Sequence, residues 1–68
     1  MNSFIYAKTR IECQGKSDIW CMQAVNQLLK DLKIGVAEKV YTDKMIDNTE
    51  IILRALNDEL KQRGVINE

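Results

Sequence analysis

The 68-residue sequence predicts a single small α+β domain, residues 1–68, in the order β-α-β-α, and three patterns predict it. Phe4, Tyr6, Lys8 and Arg10 alternate with Ile5, Ala7, Thr9 and Ile11, a period of two that is rich in aromatic and β-branched residues and reads as a strand. From Cys21 to Leu32, and again from Ile52 to Leu60, apolar residues recur at intervals of three and four, which reads as two amphipathic helices.

The elements follow in order. Glu12 to Ser17, with Gly15 among polar neighbours, marks the loop that ends the strand. A helix is expected from Asp18 to Lys33, with Cys21, Ala24, Val25, Leu28, Leu29 and Leu32 on its apolar face. Ser17 or Asp18 caps its free amides, and Gly35 is its expected left-handed stop. Residues 36–41 suit a short second strand built on Val36 and Val40. Ala37, Glu38 and Lys39 also suit a helix, but no capping residue precedes Val36, and a second strand would pair with the first. The second helix is expected to start at Asn48. Asp47 as N-cap and Glu50 three residues on form a capping-box pair, with Ile46 and Ile51 as a hydrophobic staple. Ile52, Leu53, Leu56 and Leu60 then line one face as far as Gly64.

Size bounds what such a chain can do. A domain this short buries only about 60% of the surface its unfolded chain exposes, so its stability margin is thin and oligomerisation is a common remedy. An unpaired strand would add a second reason to associate, and a homodimer is expected, with Phe4 to Ile11 or the apolar helix faces at the contact. Ten basic and ten acidic residues cancel, which removes any strong overall attraction to nucleic acid or anionic membrane. No stretch approaches the roughly 20 apolar residues of a membrane span. Two cysteines without a leading secretory pattern suggest a reducing, cytoplasmic setting.

Catalytic equipment is sparse. The chain has no histidine, so the commonest general base and metal ligand is missing, and neither Ser3 nor Ser17 has a visible activator. The expectation is a protein that is not an enzyme and takes no cofactor and no metal. Cys13 and Cys21 lack the spacing of a redox pair or zinc site. Cys21 reads as a small buried hydrophobe, and Cys13, in the expected loop, as the more exposed thiol. Gly15-Lys16-Ser17 lacks the earlier glycine of a phosphate loop, since Arg10 stands there, and reads as a turn with a helix cap. Asp43, Asp47 and Glu50 read as charges favoured at a helix N-terminus rather than as a cation site.

Four residues remain as candidate contacts. Trp20 stands beside the apolar stripe of the first helix, where a large amphipathic ring serves either a core edge or a partner. Tyr6, Lys8 and Arg10 would share one face of the strand, and a ribbon of two such strands could enter a major groove. The expected function is a non-enzymatic, homo-oligomeric protein-binding regulator, inhibitor or assembly accessory, of a size that fits a phage or other mobile element. The competing expectation is a dimeric DNA-binding regulator that uses the basic ribbon.

Overall fold

Ile5, Tyr6, Thr9, Arg10 and Cys13 fall on one side of a helix, and in the computed structural model, which describes residues 3–66, the amino-terminal segment is a helix and not a strand. The chain forms three helices with no strand among the described residues: α1 Ser3–Gln14, α2 Asp18–Ala37 and α3 Asp43–Gln62. The fold is therefore all-α, and the α+β expectation is corrected. The period of two misleads because the inward face of α1 includes Tyr6, Thr9 and Arg10, while Phe4 and Ile11 point to solvent. Once the segment is helical, its backbone groups bond internally, and the demand for a pairing strand disappears.

The expected second strand at 36–41 is also absent. Val36 and Ala37 complete α2, and the five residues that follow form the turn into α3. Gly35 is not the stop of α2 but a buried residue inside it, closely covered by the ring of Tyr41. The left-handed position belongs to Lys39, at φ 58°, and the N–H groups of Val40 and Tyr41 donate back to the Gly35 carbonyl at 2.9 and 3.3 Å.

Both long helices have hydroxyl caps. Ser17 Oγ accepts from the Trp20 amide at 3.1 Å, as one of the two expected caps, and Thr42 Oγ1 accepts from the Met45 amide at 3.2 Å. The expected start of the last helix at Asn48 is thus one turn and more too late, and Asp47 lies within α3. Gly64 does follow the helix end, with φ 78°.

α3 is the central element, with α1 and α2 both packed against it. Leu56 and Leu60 of α3 meet Cys13 and Cys21, and Ala24, Val25, Leu28 and Ile52 surround them. Val65 and Ile66 fold back on the same cluster, beginning with a bond from the Val65 amide to the Leu60 carbonyl at 3.0 Å. No helix among the described residues is long and apolar enough to cross a membrane.

Candidate functional site

Two of the four candidate residues belong to a network that holds α1 on α3. Tyr6 donates its hydroxyl proton to Asp58 and accepts from Arg10 Nη1 at 2.9 Å. Arg10 also reaches Glu59 Oε1 at 3.3 Å and bonds Gln62. The Tyr6 bond, with Glu59 nearby, holds the Arg10 guanidinium more firmly charged than usual. These side chains are half-buried and committed within the chain, and among the described residues there is no strand to carry them into a groove. The ribbon face made of Tyr6, Lys8 and Arg10 is therefore not assembled: Lys8 lies exposed on another side of α1 from Tyr6 and Arg10.

Glu59 is the one buried charged side chain among the described residues, 5% exposed, and Arg63 gathers all three helices around it. Arg63 Nε donates to Glu59 Oε2 at 2.9 Å, Nη1 to Asp18 at 2.8 Å, and Nη2 to the carbonyl of Cys13 at 2.6 Å. Asp18 first, and then Glu59, raise the Arg63 pKa further above its ordinary value. The arrangement is closed, since each charge meets an opposite one or a carbonyl, and it does structural work.

Both cysteines are buried, which corrects the expectation of an exposed Cys13. Of the expected loop, Glu12 to Gln14 are the last turn of α1 and only residues 15–17 form the connection, and Cys21 Sγ donates to the Cys13 carbonyl at 3.8 Å. Burial, followed by the neighbouring Cys21, pushes the Cys13 thiol up to about 11, away from the reactive thiolate form. Among the described residues no group of three or more potential ligands could hold a metal ion.

Trp20 is at the rim, 38% exposed, with the Lys16 ammonium 5.2 Å from its ring centroid. Trp20 and Ala24, with Gln23, Asn26, Gln27 and Lys30, line a shallow depression of about 490 Å³ whose surface is mixed polar and apolar. That wall of α2 sets amide and ammonium groups beside the apolar surface of Trp20 and Ala24.

The apolar surface lies on another side of the same helix. α2 carries two parallel stripes offset by one residue, or about 100°. Cys21, Ala24, Leu28 and Gly35 turn inward. Met22, Val25, Leu29, Leu32 and Val36 form the second stripe, in which Val25 and Leu32 are half-buried while Met22, Leu29 and Val36 are 43%, 50% and 48% exposed. Leu29, Leu32 and Val36, with Lys33 and Ala37, line an open, strongly apolar depression of about 550 Å³. The expected apolar face of this helix joins the two stripes: Val25 does pack on the core, as expected, whereas Leu29 and Leu32 belong to the outer row and Met22 lies outside the expected face. The signal that separates the stripes is the spacing of seven in Met22, Leu29 and Val36, and in Val25 and Leu32.

No family model matches the chain, and searches of curated proteins and solved structures give no match either.

Proposed function

We propose that the protein is a non-enzymatic binding module that docks a helix of a protein partner on the outer stripe of α2, serving as a regulator, inhibitor or assembly accessory in a reducing, cytoplasmic setting. The observation that carries this reading is the second stripe itself. Five apolar residues at intervals of three, four, three and four are what a helix presents to another helix, and among the described residues Met22, Leu29 and Val36 stay 43%, 50% and 48% exposed. Isolated apolar residues on a surface need no explanation, whereas a contiguous row along two heptads does. The closed Arg63 network and the buried thiols support the non-enzymatic part, because the polar groups of the core are occupied with one another.

Affinity capture from the native cell with three forms of the chain tests the reading. Wild type and Lys30→Glu are expected to retain the same partner protein, and Leu29→Glu to lose it. Equal retention by all three would contradict it.

A further inference from the structure

The geometry points to a second copy of this chain as an occupant of the stripe, with the two α2 helices paired antiparallel; this names the partner of the docking face and rests on that reading. Met22, Leu29 and Val36 stand in the a register of a heptad and Val25 and Leu32 in the d register, over about 21 Å of helix. Such a row is complementary to itself.

The direction follows from the two flanks of the stripe. Its inner flank, Cys21, Leu28 and Gly35, is already turned into the chain's own core, and its outer flank is Ile19, Asn26 and Lys33. A parallel pair places the outer flank of one helix on the inner flank of the other, where α3 blocks it. An antiparallel pair sets outer flank against outer flank and inner flank against inner flank, so the open sides meet each other and the two α3 helices lie together on the other side of the pair. With the two-fold axis level with Asn26 and Gln27, Met22 stacks on the partner's Leu32 and Val25 on the partner's Leu29. Asn26 then meets the partner's Asn26 beside the axis, where an amide pair fixes register. Lys33 lays its stem over the partner's Ile19, which is 67% exposed in the single chain, and brings its ammonium within one turn of the partner's Asp18. The opposed helix dipoles favour the same direction.

Area agrees in scale. The chain exposes 5013 Å², whereas a folded protein of its 7.9 kDa exposes about 4,400 Å². The excess of about 600 Å² is spread over the molecule, Phe4, Ile11 and Val40 included, and a dimer that buries the α2 face at the roughly 800 Å² per partner of a standard interface would offset it.

Sedimentation equilibrium from micromolar to sub-millimolar concentration, with disulfide trapping, tests the proposal. Wild type is expected to reach twice the chain mass, and Leu29→Glu to weaken association by about tenfold or more while keeping its helix content by circular dichroism. Met22→Cys and Leu32→Cys chains, oxidised after mixing, are expected to give the mixed disulfide far ahead of either self-coupled product; the native thiols are buried and stay out of the reaction. Self-coupled Met22→Cys in excess would overturn the antiparallel pair. A wild type monomeric at every concentration would overturn the dimer, and if the Leu29-dependent partner of the capture experiment is still found, the docking reading survives without it. Loss of both would remove both.

Discussion

Tyr41 lays its ring on the backbone of Gly35, six residues earlier in the chain, so that a Cβ at position 35 would fall inside the ring's van der Waals envelope. The contact folds the α2–α3 turn onto the helix it has just left, and the Gly35 carbonyl receives the amides of Val40 and Tyr41 in the same place.

A sign test follows from this contact. In an exposed helix Gly→Ala stabilises by about 1 kcal/mol. At Gly35 the ring has to move, and Gly35→Ala is expected to destabilise by about 1 to 3 kcal/mol in denaturant titration. The Gly35→Ala, Tyr41→Ala double variant is expected to lose less than the two single losses together. A stabilised Gly35→Ala would show that Tyr41 does not cover the position.

The start of α3 is open to a paired comparison. Thr42→Ala removes the Oγ1 acceptor of the Met45 amide and is expected to cost about 0.5 to 2 kcal/mol. Asp47→Ala, one turn inside the helix, is expected to stay within about 0.5 kcal/mol of wild type. The reverse order of the two denaturation midpoints would place the cap at Asp47.

Glu59 is the electrostatic keystone. Glu59→Ala leaves Arg63 and Arg10 without their shared carboxylate, and because both guanidinium groups retain some contact with water, the expected cost is about 2 to 3 kcal/mol, below that of a fully buried pair. Adding Arg63→Ala should cost less than the sum of the single losses. Strict additivity in the double-mutant cycle would mean that the two residues do not interact.

The cysteines give a pH test. The Cys13 thiol titrates near 11 in the folded chain against 9.0 for the ordinary group, so the folded state holds the proton more tightly. Its contribution is therefore complete below about pH 9 and is lost as pH rises through 11, by on the order of 2 kcal/mol. Cys13→Ala is expected to flatten that part of the stability curve. A parent curve that stays level from pH 9 to 11 would contradict the burial of this thiol, as would its reaction with a thiol reagent at the rate of the unfolded chain.

Much of α2 and the end of α3 was legible in the sequence, and the reasons are local. Ser17 precedes a run whose apolar period is 3.6, and Gly64 follows the last leucine of α3 with no competing signal. α1 was hidden because, between Ile5 and Cys13, its inward face carries Tyr6, Thr9 and Arg10, and the partners of Tyr6 and Arg10, Asp58, Glu59 and Gln62, lie some fifty residues away. A pattern of apolar residues cannot register a face that packs through polar groups. The N-terminus of α3 was misplaced because Asp47 and Glu50 form a convincing capping pair, yet Thr42 caps the helix more than a turn earlier and half-buried Ile46 packs within it. Gly35 was read by its usual role, while its actual one depends on Tyr41 returning across it. Of the candidate site, Trp20 proved to be at the rim, Tyr6 and Arg10 to be structural, and Lys8 to stand apart. The outer stripe escaped notice because two seams one residue apart merge into a single broad apolar helix unless their seven-residue spacing is separated.

Photo-crosslinking along α2 tests most directly the claim that this stripe is a docking surface. A benzophenone side chain placed in turn at each position from 22 to 37 in the native cell reports which side of the helix meets another polypeptide. The account predicts adduct yield that peaks at Met22, Leu29 and Val36, with shoulders at Val25 and Leu32 and minima at Gln23, Gln27 and Lys30. A flat profile, or maxima on the Gln23, Gln27 and Lys30 side, would contradict it.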